Sequence, residues 1–544
     1  MVISSCGIAC RPDFCLRTPP FHCIGKVQLN LVAAMEALDE PGGLFKDNKS
    51  KNVKAPVWKK LNSKELGITT SMIDKPTRKV LNGLKRKGYE VYLVGGCVRD
   101  LILNRTPKDF DIITSAELKE VTRTFSWCEI VGKRFPICHV HIGDTVIEGY
   151  NFVLKYHEVP CTLAHGHNTL IYARCSNVML ILHSYQSGRN LSSDFRKPNH
   201  CDDKDYMRWR NCSQRDFTIN GLMFDPYARI VYDYMEGIED IRKAKVQTVI
   251  PASTSFREDC ACILRAIRIA ARLGFCISKE TVHSVKSLSY SILRLDKGRL
   301  LMEMNYMLAY GYAEASLRLL WKFRLLELLL PIQAAYFVRH GFRRRDKRTN
   351  MHLSLFSNLD KLLSRDKPCH SSLWVAILAF HNALSEQPRD PLVVAALSLA
   401  IHNGGDMLEA VSIAKKVTKV HAVGFHELLE SQNLNPRALR DEVKNLTASL
   451  TRALNNMTDE QIVSQAMAGY PQAPDSDLVL IPWGLSLRVC RNFSCLTSGA
   501  ERGFIPRQGS KIDYELLAQG ALPEVRHIFA GVVFDTIYPL KPKS

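Results

Sequence analysis

The chain has 544 residues, of which 46% are hydrophobic and 23% are charged. These values are ordinary for globular proteins and exclude a fibrous or wholly disordered chain, and the length corresponds to about three to four domains. Lys and Arg number 73 and Asp and Glu number 54, a net charge of +19, so nucleic acid is the first candidate for an anionic partner.

Membrane insertion and a zinc ribbon are both disfavoured by the sequence. No apolar run approaches the roughly 18 residues that a membrane span requires, so no membrane association is expected. The 17 cysteines are scattered and include no Cys-x-x-Cys pair, which favours free thiols in a reducing compartment.

Residues 1–60 are predicted to be a leader and linker. Residues 1–35 contain a single acid, Asp13, among three basic residues and many Ser, Cys and Leu residues, which fits an organellar transit peptide. An unstructured leader fits this composition equally well. The expected location is therefore an organelle, chloroplast or mitochondrion, and the alternative is the nucleus or cytoplasm.

Residues 61–250 carry the pattern of an α/β unit with a mixed sheet. A hairpin is expected through Gly143-Asp144, between strands over 137–142 and 145–148. The other predicted elements are helices over 76–87, 98–103 and 117–125 and strands over 90–94 and 110–114.

The pattern after residue 250 is almost entirely helical. Residues 251–330 are predicted to be a helical neck, with helices over 260–273 and 317–330. Residues 331–544 are predicted to be a helical C-terminal body and tail that binds RNA, with its clearest helix over 391–401, although 475–544 shows no clear periodicity.

The densest chemistry lies in two short segments, Gly95-Gly96 after a predicted strand and Asp109-Phe110-Asp111 on the next one. Alternation along a strand directs both carboxylates to one face, where they can hold two Mg²⁺ ions that activate a hydroxyl and neutralise a leaving pyrophosphate. The glycines let backbone N–H groups approach a triphosphate, and the following helix adds its N-terminal dipole and Arg99. Glu148 is the candidate third acid.

An Asp-x-Asp or a Gly-Gly alone is usually a solvated loop or a turn, but their order here is specific. Residues 95–100 followed by 109–111 resemble the head-domain signature of class II tRNA nucleotidyltransferases and bacterial-type poly(A) polymerases, of the DNA polymerase β superfamily. Later segments resemble that family's remaining motifs in order: the ribose-lining motif at 215–220, the hinge at 233–240, the nucleotide-selecting helix at 258–275 and a weak last motif at 295–303.

This resemblance, which covers about residues 75–330, implies an α+β fold: a small mixed-sheet nucleotidyltransferase head followed by a mostly α-helical neck, body and tail. It implies Mg²⁺-dependent, template-independent nucleotide addition to an RNA 3′ end, with addition of AMP from ATP favoured and CCA addition to tRNA, which also uses CTP, the alternative. The oligomeric state is not predicted. The implied catalytic residues are Asp109, Asp111 and Glu148, with the two aspartates as metal ligands. The implied nucleotide-binding residues are Gly95, Gly96, Arg99, Arg215, Asp216, Asn220, Asp259, Arg265 and Arg268.

One residue departs from the family pattern at the selecting helix. The family's Glu-Asp-x-x-Arg motif reads the incoming base, and here Cys262 replaces its Arg. A thiol is a weak donor, so base recognition is expected to lose about 1.5–3 kcal/mol. Arg265 lies one turn further on and offers a partial substitute, although its direction differs by about 60°. Weakened selectivity is expected, and a catalytically weakened RNA-binding relative is an alternative.

Residues 149–186 match nothing in the family pattern. They contain one acid, Glu158, and four histidines, together with more hydrophobic residues than an exposed loop normally has. We interpret them as an intron retained in the coding sequence, and a genuine insertion loop is the alternative.

Three further features have structural interpretations. His402–Asp406 is predicted to be a helix cap or turn rather than a metal site, and Trp321 and Trp374 are predicted to lie in the core. The basic cluster at 343–348 is predicted to be a solvated loop, with RNA contact as the alternative.

Overall fold

The computed structural model describes residues 58–131, 137–142, 145–151, 202–468 and 481–539. The chain divides into two compact units, Met1–Ala55 and Pro56–Ser544, and every described residue lies in the second. Most of the predicted leader and linker, and residues 152–186 of the predicted insertion, lie outside the described residues.

The N-terminal part of the second unit is a mixed sheet with helices around it. Eight strands lie in the order β1-β8-β7-β2-β3-β6-β5-β4, and each neighbouring pair is antiparallel except β3 with β6. The elements are β1 (Lys59–Asn62), α1 (Lys75–Arg86), β2 (Val91–Val94), α2 (Gly96–Ile102), β3 (Asp111–Thr114), α3 (Leu118–Thr124), β4 (Cys128–Val131), β5 (Ile137–Ile142), β6 (Thr145–Asn151), α4 (Asp203–Ser213), β7 (Leu222–Asp225) and β8 (Ile230–Asp233).

The helices and strands predicted between residues 76 and 148 are confirmed within a few residues at each end. The hairpin prediction is confirmed by β5 and β6, which pair antiparallel from Ile142↔Thr145 to Cys138↔Gly149. Strand β1 begins at Lys59, inside the predicted linker, and forms one edge of the sheet by pairing with β8. Gly149–Asn151, assigned to the insertion by sequence, continue β6 and pair with β3.

The central strands are buried because helices cover the sheet. Every residue of β2 is buried, as the apolar sequence Val-Tyr-Leu-Val requires. Strand β2 pairs with β3 from Val91↔Thr114 to Val94↔Asp111, and with β7 through Leu93↔Phe224. This register places Asp111, the first residue of β3, opposite Val94, the last residue of β2, and next to the turn that follows β2.

A helical neck follows the sheet, with one short two-stranded pairing. Its elements are α5 (Gly237–Arg242), β9 (Lys245–Val246), α6 (Ala252–Glu258), α7 (Ala261–Leu273), β10 (Cys276–Ile277), α8 (Lys279–Leu288), α9 (Lys297–Leu308), α10 (Ala313–Lys322) and α11 (Leu326–Leu329). The prediction of one helix over 317–330 is wrong, because Arg324 adopts a left-handed conformation (φ 62°) that ends α10. The apolar pattern continues across this break because Leu325 and Leu326 are buried as well.

The C-terminal part is mostly helical in its described residues, with longer non-helical stretches at 415–435 and 499–513. Its helices are α12 (Pro331–Arg339), α13 (Met351–Leu362), α14 (Ser371–Glu386), α15 (Pro391–His402), α16 (Met407–Ala414), α17 (Pro436–Thr458), α18 (Glu460–Ala468), α19 (Trp483–Phe493), α20 (Cys495–Ser498), α21 (Tyr514–Gln519) and α22 (Leu522–Ile537). Helix α22, which belongs to the aperiodic C-terminal sequence, packs on α13 and α15 in the core of the body. The α+β fold class is thus confirmed.

The structural interpretations of individual residues are also confirmed. Trp374 is fully buried and Trp321 nearly so. Asp406 caps α16 by accepting a hydrogen bond from the Glu409 N–H at 2.9 Å. The cysteines in the described ranges are free thiols, and no helix in those ranges has both the length and the apolar character of a membrane span.

Candidate active site

The turn between β2 and α2 brings the backbone against two charged side chains. Gly95 has φ 79° and ψ −139°, a conformation that only glycine adopts readily. A Cβ atom at this position would lie 3.1 Å from Asp111 Oδ2 and 3.6 Å from Arg215 Nη1. Gly95, Asp111 and Arg215, all predicted site residues, therefore converge at the end of the central strand.

The two candidate metal ligands differ in their backbone setting. Asp111 opens β3, whereas Asp109 lies in a bend before it, so the prediction that both stand on the strand is wrong. The reason is that β2 turns away at Gly95, which leaves the residues before Asp111 without a ladder partner. Asp109 forms an ion pair with Lys108 at 3.8 Å.

The charge of Asp111 is poorly compensated. Burial raises its pKa to about 7; the Arg215 guanidinium lowers the pKa and the nearby Asp109 charge raises it. Two acidic groups that oppose each other's ionisation in a buried setting form a site that a cation would stabilise. Their oxygens are the hard donors that Mg²⁺ prefers.

Glu148 lies on β6, as predicted. In the parallel pairing of β3 with β6, the register Ile112↔Gly149 places Glu148 opposite Asp111. On the other side of β6, Glu148 pairs with His139 of β5. The Glu148 side chain lies outside the described part of the molecule. Among the side chains that are described, no group of three or more His, Cys, Asp or Glu residues is arranged to hold a metal ion.

Arg99 and Asn220 are joined beneath the turn. Arg99 is buried, and its Nε and Nη2 donate to Asp100 Oδ1 at 2.9 and 2.7 Å while Nη1 donates to Asn220 Oδ1 at 2.6 Å. Arg272 on α7 continues the network, with Nη2 3.2 Å from Asp100 Oδ2 and Nε 3.1 Å from Asp366 Oδ1. Arg99 therefore links the turn to the second motif and, through Asp100, to the neck.

The hinge motif holds the second motif in place. The Asp233 carboxylate, at the end of β8, accepts hydrogen bonds from the N–H groups of Gly237 (2.9 Å) and Ile238 (3.0 Å). Gly237 passes so close to the second motif that a Cβ atom would lie 2.3 Å from the Thr218 carbonyl oxygen. The Thr218 hydroxyl donates to Asp240 Oδ2 at 2.6 Å.

Arg265 bridges two predicted nucleotide-binding acids. Its Nη2 lies 2.7 Å from Asp259 Oδ2, and its Nε lies 2.8 Å from Asp216 Oδ2. Burial raises the pKa of Asp259, but the charge and hydrogen bond of Arg265 outweigh this effect and hold the pKa below its ordinary value. The partial substitute considered in the sequence analysis thus contacts Asp259 directly.

Cys262 is buried beside this bridge. Its thiol donates to Asp216 Oδ1 at 3.3 Å, and its sulfur accepts from Arg265 Nη2 at 2.9 Å. Cys262 therefore touches both Asp216 and Arg265 without replacing a guanidinium.

Sequence reasoning missed an aromatic group beside Asp109. The Lys108 ammonium lies 5.5 Å from the Tyr306 ring centroid and 4.6 Å from that of Tyr310, and the Arg268 guanidinium lies 4.8 Å from Tyr306. Arg268 also pairs with Glu303 at 3.4 Å. Helical spacing gives no sufficient signal for this group, because Tyr306 lies on α9 and Tyr310 lies beyond the end of that helix at Leu308.

Comparison with known proteins gives two matching family models. Residues 91–247 match the Poly A polymerase head domain, and residues 274–337 match the model described as the probable RNA and SrmB-binding site of polymerase A. The first model contains the turn, both aspartates and the second and hinge motifs.

Curated relatives carry two different names. Poly(A) polymerase I of Escherichia coli O6:H1 is 32% identical over 274 residues, 50% of this chain and 54% of the relative. The CCA-adding enzyme of Geobacillus stearothermophilus is 31% identical over 242 residues, 44% of this chain and 51% of the relative. The chain thus spans about half the length of the curated relatives it matches.

A solved structure of the Bacillus stearothermophilus CCA-adding enzyme with CTP covers 78% of this chain and 94% of its own, at 20% identity and a TM-score of 0.40. Over residues 91–247 and 274–337, the chain is therefore similar in sequence to poly(A) polymerases and CCA-adding enzymes.

Proposed function

We propose that this protein is a template-independent RNA 3′-end nucleotidyltransferase that adds AMP from ATP. The observation that carries the proposal is the convergence of the Asp111 carboxylate, the Gly95 turn and the Arg215 guanidinium, with Asp109 close enough to raise the pKa of Asp111. The relatives named poly(A) polymerase and CCA-adding enzyme support the same reaction class.

Asp109 and Asp111 would hold Mg²⁺, which fits their oxygen donors and their poorly compensated charge. When bound, two such ions activate the attacking 3′ hydroxyl and neutralise the leaving pyrophosphate. The Gly95-Gly96 backbone leaves room for the triphosphate beside the turn, and Arg215 supplies a positive charge there. Arg99 positions the turn through Asp100 and Asn220.

The bridge of Asp216, Arg265 and Asp259 would recognise the base. A carboxylate accepts a hydrogen bond from the exocyclic amine of adenine or cytosine, and neither guanine nor uracil presents an amine at that place on its pairing edge. Asp259 has one oxygen engaged by the Ala261 N–H at 3.0 Å and the other by Arg265. Because Arg265 approaches from one turn further along α7, base selection is expected to be weaker than with an Arg at position 262.

We favour addition of AMP over CCA addition because we assign no motif of a tRNA-specific tail to the sequence of residues 331–544. The base-reading acids serve both reactions, so CCA addition is the alternative. Cys262 supports a third candidate, a catalytically weakened relative that still binds RNA.

A 3′-extension assay distinguishes these functions. Purified protein with Mg²⁺ receives each NTP singly and all together, on a tRNA lacking CCA and on an unstructured oligoribonucleotide. The proposal predicts long A-tails on the unstructured RNA with ATP alone. Addition that stops after C, C and A on tRNA alone would establish the CCA reaction, and RNA binding without extension would establish the weakened relative.

A further inference from the structure

The loop between α12 and α13 concentrates positive charge at the surface of the body. We name residues 341–348 the basic loop; its sequence is Gly-Phe-Arg-Arg-Arg-Asp-Lys-Arg, with five cationic residues and one acid. It lies beyond the residues that match either family model.

The basic loop has a fixed conformation. The Trp321 indole N–H donates to the Arg343 carbonyl at 3.0 Å, and Arg318 Nη1 donates to the carbonyls of Asp346 (3.2 Å) and Arg348 (3.1 Å). Arg344 turns inward, with its guanidinium 3.6 Å from the Trp321 ring centroid. Helix α10 therefore holds the backbone of the loop from below.

The remaining cations face outward. Phe342 is buried and Arg344 half-buried, whereas Arg343, Arg345 and Lys347 alternate with them and are exposed. They line an open depression whose one acidic residue, Asp346, is engaged by Arg348 at 2.6 Å. The depression thus has an excess of positive charge that Asp346 does not neutralise.

The positive surface continues onto the neck. Burial lowers the pKa of Lys322, at the end of α10, and the nearby charges of Arg345 and Lys286 lower it further. Like charges repel each other, and a bound anion would relieve that repulsion. Guanidinium groups suit phosphate oxygens because they can donate two parallel hydrogen bonds.

We propose that the basic loop binds the phosphodiester backbone of the RNA substrate upstream of its 3′ end. This inference rests on the proposed function, which makes RNA the substrate. Helix α10 separates the basic loop from the link between the neck and the head. At the start of α10, the Ala313 N–H donates to Asp360 at 2.8 Å, near the Arg272–Asp366 ion pair. The basic loop lies over the other end of α10. A ten-residue helix spans ~15 Å, so the loop contacts nucleotides that precede the reacting end.

The test compares two triple variants with the same change in charge. The loop variant is Arg343→Gln, Arg345→Gln, Lys347→Gln, and the control is Lys415→Gln, Lys416→Gln, Lys419→Gln, which removes three exposed lysines near the end of α16. Binding of fluorescent unstructured RNAs of about 30 and about 6 nucleotides is measured by anisotropy over a range of salt, without nucleotide, and thermal melting checks folding.

We expect the loop variant to bind the longer RNA roughly 10-fold more weakly, with the slope of log affinity against log salt reduced by about 2, because each lost single-strand contact removes ~0.7. The control should keep its affinity within about 3-fold, and binding of the short RNA should not change in either variant. Short-RNA extension by the loop variant should also equal that of the parent.

Other outcomes overturn the inference. Equal losses in both variants would show bulk charge rather than a site. Unchanged RNA binding by the loop variant, with lost binding of polyglutamate, would make the loop a surface for acidic proteins. In both cases extension of RNA by the parent protein would leave the proposed function intact. A parent that neither binds nor extends RNA would overturn both proposals.

Discussion

Arg265 Nη2 lies 2.7 Å from Asp259 Oδ2, and the same nitrogen lies 2.9 Å from Cys262 Sγ. The Arg265 guanidinium thus contacts both Asp259 and Cys262, the residue that stands where the motif resembled by this sequence has an Arg. Arg265 makes its contact with Asp259 from one helical turn beyond that position.

The first prediction is a double-mutant cycle at these positions. Cys262→Arg should raise kcat/KM for ATP and discrimination against GTP by roughly 10-fold, since a guanidinium at position 262 supplies the hydrogen-bond donor that the resembled motif has there. Arg265→Gln should lower kcat/KM by a similar factor, and the double variant should recover much of that loss if the two positions serve one role.

The control for this cycle is Cys276→Arg, which makes the same change at an exposed thiol. Additive effects of Cys262→Arg and Arg265→Gln would show that Arg265 does not stand in for the missing Arg.

The second prediction concerns the turn at Gly95. Gly95→Ala should reduce nucleotide incorporation at least about 10-fold, because the new Cβ would lie 3.1 Å from Asp111 Oδ2 and the backbone conformation is one that alanine avoids. Gly88→Ala is the matched control, since Gly88 also has a positive φ (86°) but has nothing within 4 Å of the added Cβ. Similar activity losses in both variants would assign the effect to backbone strain rather than to the site.

The third prediction concerns Tyr306 as a positioning residue. Its ring lies between Lys108, the neighbour of Asp109, and Arg268 on the selecting helix. Two partly buried cation–π contacts are worth about 1–2 kcal/mol together, so Tyr306→Leu should lower kcat about 5- to 30-fold. Tyr306→Phe keeps the ring and should retain activity; loss in both variants would point to the hydroxyl instead.

The fourth prediction is a pH dependence of stability in the body. Burial raises the pKa of Glu427, but His381 at 3.4 Å and the Tyr336 hydroxyl at 2.5 Å outweigh it and lower the pKa to about 2. Because the pKa of Glu427 is lower in the folded state than in the unfolded chain, the ionised carboxylate stabilises the fold at pH values above the ordinary glutamate pKa. This stabilisation is lost as the pH falls toward 2.

Glu427→Gln should therefore lower the free energy of unfolding by about 1–3 kcal/mol at pH 7. In thermal melting, the difference in the free energy of unfolding between the parent and Glu427→Gln should narrow below pH ~4.5, where the carboxylate becomes protonated in the unfolded chain. If this difference stayed constant down to the lowest pH at which both proteins fold, it would contradict the stabilising role of the ionised Glu427 carboxylate.

Much of the head could be predicted from sequence because its signals are local. The glycines at 95 and 96, the apolar runs in β2 and β3, and the Asp-capped helices each depend on neighbours in the chain. The site residues that came together as expected, Gly95, Asp111 and Arg215, lie at positions fixed by strand register.

The sequence was least informative where distant segments meet. The start of β3 at Asp111 depends on where β2 turns, and the end of α10 depends on one left-handed residue, Arg324. The contacts of Tyr306 with Lys108 and Arg268 join segments about 200 and 40 residues apart, which no local pattern encodes. Arg265 reaches Asp259, although its direction on α7 differs by about 60° from that of Cys262, because its long side chain spans the intervening turn.

The most direct test of the account is Mg²⁺-dependent extension of an RNA 3′ end by the protein with Asp111→Asn. Asp225→Asn is the matched control, because Asp225 ends the neighbouring strand β7 and accepts turn N–H groups of Tyr227 and Ala228, each at 2.9 Å, outside the site. The account predicts that Asp111→Asn abolishes extension, by at least about 1,000-fold, while Asp225→Asn extends RNA like the parent. Extension that survives in Asp111→Asn would contradict the assignment of this carboxylate to the catalytic centre.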